Sequence, residues 1–439
     1  MKRTLTTIML LMLCLEGWAQ VDTAFLQVVD TAYAHLIFPG VRDALRPVHE
    51  KLYDLRKTPN ASQNLNILHI GGSHVQAGML TNAVRMPFEP WADHGLLFPF
   101  RAIKTNGSLS YRFDYTGMWK GSRCVNAEPD AALGLAGAAA ITSDVEASIT
   151  LRLRDEGRWD FDRLTVLGEV SDSTVMPYLV TSANDTILPD AMLSKLDGNN
   201  GEWRFVLSQP DSVVTLLCQG LTRNVAKSFS KKVSEKRRRQ LYTPLQDKHF
   251  FVLRGMIPDS HRHGVTYSES GVNGAAVPSW LRTSAHFEQE LSLLPPDLVV
   301  FGIGINDANV PREEFDTAVF KRDYRLLMQR IRSVSPDVRF IWITNNDCAF
   351  TLGKGRKARK IPNPNTELVR QSMLALAREE NGAVLDVYGL MGGLKSSVQW
   401  NEQGLMQKDR IHFTRAGYEL IGNILYNAID EDYKRWNKF

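Results

Sequence analysis

Over residues 264–439, short unbroken apolar runs alternate with longer amphipathic stretches, and this alternation constrains the fold more than any other feature. Asp297–Ile303, Val338–Thr344 and Ala383–Val387 are too short for helices and lack polar alternation. They read as strands buried on both faces. Val265–Ser268 reads as a shorter strand. Pro278–Leu294, Glu313–Val334, Thr366–Glu380 and Arg415–Trp436 are predicted helices, the third ending at Asn381-Gly382. Such strands, separated by helices, imply an α/β fold with a parallel sheet covered on both faces. Upstream, residues 24–57 read as helical, with Val41, Leu45, Val48, Leu52 and Leu55 on one face. Leu65–Ile70 reads as a further buried strand that stops at Gly71-Gly72.

Residues 106–250 follow a different pattern. Ala147–Leu153, Phe161–Leu167, Met176–Thr181, Glu202–Leu207 and Ser212–Cys218 alternate with period two, separated by turn residues such as Asn199-Asn200-Gly201. This is the pattern of an all-β sandwich. The strands before and after it belong to one sheet, so the module is expected as an independent insertion in a surface loop. The expected organisation is a leader over 1–20, the α/β domain over 21–105 and 251–439, and the insert over 106–250.

The leader follows from Lys2 and Arg3, the apolar Leu5–Leu15, and Gly17-Trp18-Ala19 ahead of a cut. This predicts an exported protein, periplasmic or extracellular, whose mature chain starts near Gln20. A signal anchor and a lipidated Cys14 are the alternatives. No later run approaches the ~18 apolar residues of a membrane-spanning helix. Removing the leader leaves Cys124, Cys218 and Cys348, so at most one disulfide can form. A net charge of +4 over 439 residues gives no basis for nucleic-acid binding. The basic run from Lys227 to Arg239 reads as solvated surface, with a basic flap over an acidic polymer as the other reading.

Four segments carry potential chemistry. In Ile70-Gly71-Gly72-Ser73-His74, a serine follows a buried strand and a Gly-Gly turn, at the sheet edge where open α/β folds bind ligands. Ser270-Gly271-Val272-Asn273-Gly274-Ala275 can expose a glycine N–H, or be a plain turn. Gly302-Ile303-Gly304-Ile305-Asn306-Asp307 ends the strongest apolar strand. The Asn306 amide there can stabilise a developing oxyanion, a donor worth ~2.7–4 kcal/mol of barrier, or can cap the next helix. In Asp409-Arg410-Ile411-His412, a tight turn would let the carboxylate reach the ring Nδ1 and leave the other nitrogen for a serine. Each residue there also fits a turn or surface role.

In this order, each at the end of a strand or before a helix, the four segments resemble the SGNH (GDSL-like) hydrolase superfamily over roughly 60–105 and 255–430. The resemblance implies a flavodoxin-like doubly wound parallel sheet. It implies Ser73 as nucleophile, His412 as base and Asp409 as its orienting partner. It also implies an oxyanion hole from the Ser73 N–H, Gly274 and Asn306. It departs from the family at Gly72, where aspartate is usual. The β-rich insert is similar to the carbohydrate-binding-like module of secreted peptidoglycan O-acetylesterases. The expected function is an esterase that removes acetyl or other short acyl groups from a carbohydrate, with no cofactor and no metal. An acyltransferase using the same triad and a non-catalytic glycan-binding protein are the alternatives. The insert is expected to wall the catalytic cleft, with Trp119, Trp159 or Trp203 offered to sugar rings or else filling its core. Gly353-Lys354-Gly355-Arg356-Lys357 lacks phosphate-loop spacing, and His261-Arg262-His263 lacks companion ligands for zinc.

Overall fold

The computed structural model describes residues 27–58, 63–154, 158–221, 237, 242–353 and 357–438. The expected leader, the basic run apart from Arg237, and Lys354–Arg356 lie outside these residues.

Five strands run parallel in the spatial order Val265–Gly271, Leu65–Gly71, Leu298–Gly302, Arg339–Ile343 and Ala383–Leu385. Leu36–Ile37 adds antiparallel at the Ala383–Leu385 edge. Successive side chains on these strands enter different cores. Leu68, Ile70, Val299, Phe301, Phe340 and Trp342 pack against the helices Thr317–Arg332 and Asn365–Glu379. Leu65, Ile67, Leu298, Val300, Ile341 and Ile343 pack against Arg46–Lys57, Met79–Arg85 and Arg415–Trp436. The strands are therefore solid apolar runs because both faces are buried, each side chain contributing roughly 1.5–3 kcal/mol. Helix starts follow local chemistry: Asp316 accepts from the N–H groups of Ala318 and Val319 at 2.7 and 3.1 Å.

Two predicted helices are shorter than expected. Within 27–57 only Arg46–Lys57 is α-helical, because Leu36–Ile37 joins the sheet and Pro39-Gly40 follow it. Residues 278–294 split into Val277–Trp280 and His286–Leu291. Between them Ser284 turns outward, its N–H and its Oγ each donating to the Leu133 carbonyl at 2.8 Å.

The intervening segment forms two antiparallel sheets. One has six strands in the order Lys195–Asp197, Asn200–Asp211, Phe161–Val170, Phe251–Asp259, Ala138–Thr142 and Lys120–Arg123. The other has five, in the order Tyr111–Thr116, Ser148–Leu153, Val213–Gln219, Met176–Thr181 and Thr186–Ile187. The boundary expected at 250 falls one strand short, because Phe251–Asp259 pairs with Phe161–Val170 and Ala138–Thr142. Nor is the insert's core separate. Leu133, Leu135 and Ala136 share one apolar cluster with Trp280 and Phe287 of the α/β domain. Trp119, Trp159 and Trp203 are only 7%, 4% and 4% exposed, so they fill the interior rather than face sugar. Cys124, Cys218 and Cys348 are buried and unpaired. Among the described residues no helix is long and apolar enough to cross a membrane.

Candidate active site

Ser73, Gly274, Asn306, Asp409 and His412 all lie at the carboxyl edge of the parallel sheet. Leu65–Gly71 delivers Ser73 to the first position of the short helix Ser73–Gln76. Val265–Gly271 delivers Gly274, and Leu298–Gly302 delivers Asn306. Asp409 and His412 lie in the turn ahead of the helix Arg415–Trp436. Parallel pairing puts these loops together, although the residues are far apart in sequence.

The turn at 407–412 is closed by Gln407 N–H donating to the His412 carbonyl at 2.8 Å, with Arg410 in the left-handed region at φ 54°. Asp409 uses both oxygens. Its Oδ1 accepts from the N–H groups of Ile411 and His412 at 2.9 and 3.0 Å, and its Oδ2 lies 2.7 Å from His412 Nδ1. Asp409 therefore shapes the turn and meets the ring at once. Partial burial pushes its carboxyl pKa up, but the imidazole and the two N–H groups outweigh this and hold it below the usual carboxylate range. On the far side of the ring, His412 Nε2 lies 2.9 Å from Ser73 Oγ, within reach for proton transfer. The side chains of His412 and Asp409 are 35% and 37% exposed, so water reaches the pair.

The side expected to hold an oxyanion is built as follows. Gly274 is exposed at φ 83°, a conformation that side chains rarely adopt. Among the described residues, no protein acceptor pairs with the backbone N–H of Ser73 or of Gly274. The Asn306 amide has two hydrogens, and one is committed to the Ala275 carbonyl at 2.9 Å. Among the described residues no protein acceptor is paired with the other. Asn306 does not cap the following helix, which Asp316 does. Asp307 turns the other way: its carboxylate accepts from the Val277 N–H at 3.1 and 3.2 Å. Burial raises its pKa to about 7. Val125, from the insert, comes within 4.0 Å of where a Cβ on Gly274 would sit, so insert residues border the site.

Sequence reasoning quoted His74 only as the neighbour of Ser73, without a role, and did not single out Gln76. His74 Nδ1 lies 2.8 Å from the Tyr418 hydroxyl, and the ring packs against His412 with centroids 5.6 Å apart. Burial, and then the neighbouring His412, lower its pKa to about 3, so His74 stays neutral beside His412. Gln76, one turn after Ser73, is buried and reaches Asn273.

Residues 254–420 match the GDSL-like Lipase/Acylhydrolase family, a span that contains Gly274, Asn306, Asp409 and His412 but not Ser73. No curated protein matches the chain. Among solved structures, a peptidoglycan O-acetylesterase is 20% identical with a TM-score of 0.67, over 91% of this chain and 99% of that one. An acetyl xylan esterase is 16% identical over 38% of this chain and 82% of its own, with a TM-score of 0.29. A GDSL-like lipase from Bacteroides thetaiotaomicron is 14% identical over 38% and 76%, with a TM-score of 0.27. The chain thus carries a GDSL-like lipase/acylhydrolase domain over residues 254–420, within a whole-chain fold shared with a peptidoglycan O-acetylesterase.

Proposed function

We propose that this protein is an exported serine esterase that removes acetyl or other short acyl groups from a carbohydrate, peptidoglycan being the first candidate. The observation that carries the reading is the continuous chain Ser73 Oγ–His412 Nε2 and His412 Nδ1–Asp409 Oδ2, at 2.9 and 2.7 Å, beside two uncommitted N–H groups. His412 takes the Ser73 proton as the serine oxygen attacks the ester carbonyl. The tetrahedral oxyanion rests on the N–H groups of Ser73 and Gly274 and on the Asn306 amide. His412 then protonates the departing sugar hydroxyl and leaves an acetyl-serine. Water, deprotonated by the same ring, releases acetate and regenerates Ser73. Every bond in this cycle is made by groups of the chain, the substrate and water.

Exposure of the His412–Asp409 pair favours hydrolysis over transfer to a second sugar, since a transferase must keep water from the acyl-enzyme. The strand order supports a flavodoxin-like, doubly wound reading of the α/β domain, and the two antiparallel sheets support a β-sandwich reading of the insert. A chain-length fold match to a peptidoglycan O-acetylesterase supports the choice of substrate class. Export rests on the sequence of residues 1–20. The test is acetate release by the purified chain from residue 20 onward, assayed on O-acetylated peptidoglycan, acetylated xylan and a short-chain aryl ester. Release from the acetylated polymers, absent in Ser73→Ala, is expected. No release from any of the three overturns the reading.

A further inference from the structure

The loop Val272–Val277 carries Gly274, and groups from other segments pin it at three points. Gln76 Oε1 accepts from the Asn273 N–H at 2.6 Å. Asn306 Nδ2 donates to the Ala275 carbonyl at 2.9 Å. Asp307 accepts from the Val277 N–H at 3.1 and 3.2 Å. Gly274 sits between the first two pins, with its own N–H uncommitted.

Gln76 does more than hold this loop. It is 1% exposed, and its Nε2 donates to Thr105 Oγ1 at 2.9 Å and to the Asn106 carbonyl at 2.6 Å. Asn273 reinforces the same join, its Nδ2 donating to Thr105 Oγ1 at 2.9 Å and to the Asn106 side chain. A single buried amide thus ties the nucleophile's helix to the Gly274 loop and to the root of the insert. Glutamine suits the place, since an acceptor is needed at one end and donors at the other. Asp307 is paired with Asn306 in a different sense. Neighbours in sequence, they grip the loop on either side of Ala276, one by donating and the other by accepting.

We infer that Gln76 and Asp307 are positioning residues that fix the Gly274 N–H and the Asn306 amide against Ser73. The inference rests on the proposed oxyanion roles of Gly274 and Asn306. Neither positioning residue touches the reacting atoms or the Ser73–His412–Asp409 chain. Loosening either one moves donors whose effect on the transition state depends on placement within about 0.5 Å. A misplacement of about 1 Å can cost ~100-fold in rate.

The experiment compares Gln76→Met, Asp307→Ala and Asp307→Asn with the wild-type chain and Ser73→Ala on a short-chain ester, reading kcat, KM and the pH–rate profile. Gln76→Met and Asp307→Ala are expected to lower kcat roughly 10- to 100-fold, with KM within about threefold. The midpoint of the pH profile should not move, because the proton-transfer pair is untouched. Asp307→Asn keeps an acceptor for the Val277 N–H and should retain kcat within about threefold. Folded Gln76→Met and Asp307→Ala proteins with wild-type kcat overturn the inference. So does an Asp307→Asn protein as impaired as Asp307→Ala. If Gln76→Met does not fold, the Asp307 pair decides. Full turnover by Ser73→Ala would instead overturn the reading of the site, and this inference with it, by a result that involves neither positioning residue.

Discussion

Gly72 lies against Asn306: a Cβ at position 72 would sit 3.3 Å from the Asn306 Nδ2 atom and 3.3 Å from the Ala275 carbonyl oxygen that this amide holds. Both are closer than an ordinary carbon contact, so any side chain at 72 presses on a proposed oxyanion donor. Gly72→Ala should therefore lose kcat about five- to tenfold, part of the ~2.7–4 kcal/mol that such a donor supplies. Steady-state kinetics with a melting curve check this. Unchanged kcat would show that Asn306 gives way without loss or is not a donor.

The proposed Ser73–His412–Asp409 triad predicts strong non-additivity. Ser73→Ala and His412→Ala should each lower kcat at least ~1,000-fold, and the double variant should be little worse than either single one. Asp409→Asn can still accept from the N–H groups of Ile411 and His412 through its Oδ1, so the turn should persist. It loses the charge opposite Nδ1 and should still cost roughly 100-fold or more. Independent, multiplicative losses in the double variant would sink the proposal that these residues act as one unit.

The parts of this arrangement legible in the sequence are those that short-range chemistry dictates. Leu298–Gly302 and Arg339–Ile343 are solid apolar runs because both faces are buried, and the helix Arg415–Trp436 runs over the span that its pattern gave. Ser73, Gly274, Asn306, Asp409 and His412 were singled out by the resemblance of four short segments taken together, each of which is weak alone, and the structure brings their loops to one sheet edge. Ala138–Thr142 was not legible: Ala-Ala-Ala-Ile-Thr is buried throughout and shows no alternation. Phe251–Asp259 is buried on both faces, against the opposite sheet and against the α/β domain, so it reads like a strand of the parallel sheet. Gln76 was invisible because its partners lie 29, 30 and 197 positions away. Long-range hydrogen bonds leave no local pattern.

Asp307 gives stability a defined pH dependence. Burial raises its pKa from 3.8 to about 7, so the folded state holds the proton more tightly than the unfolded chain does. Between about pH 4 and pH 7 the folded state binds more protons at this site, and its contribution to stability falls as pH rises. The contribution is fully present below pH 4 and lost through pH 7, amounting to at most roughly 4 kcal/mol. Asp307→Asn removes the titration and keeps the hydrogen bond to Val277. Melting curves of the two proteins from pH 4 to 8 should converge at the acidic end, with the asparagine variant relatively more stable at neutral pH. Parallel curves over that range would show that Asp307 does not titrate there.

Glu290 joins the insert to the α/β domain. From the helix His286–Leu291, its Oε1 accepts from Arg254 Nε at 2.7 Å and its Oε2 from the Leu135 N–H at 2.7 Å. Both charged side chains are 4% exposed. Arg254 lies in the strand Phe251–Asp259 and Leu135 just ahead of Ala138–Thr142, so one carboxylate holds two segments of the insert. Removing it leaves a buried guanidinium facing no carboxylate, a loss of about 3–5 kcal/mol. Glu290→Ala should lower the melting temperature by roughly 3–6 °C. Glu290→Ala combined with Arg254→Met should recover part of the loss, because no unpaired charge then remains buried. Esterase activity at low temperature should survive in both, since neither residue reaches the Ser73 edge. A single variant that melts like the wild type would show that apolar packing around Trp280 and Phe287 joins the two parts unaided. A double variant less stable than Glu290→Ala would show that Arg254 is held mainly by its bond to Asn200 Oδ1, at 3.1 Å, rather than by Glu290.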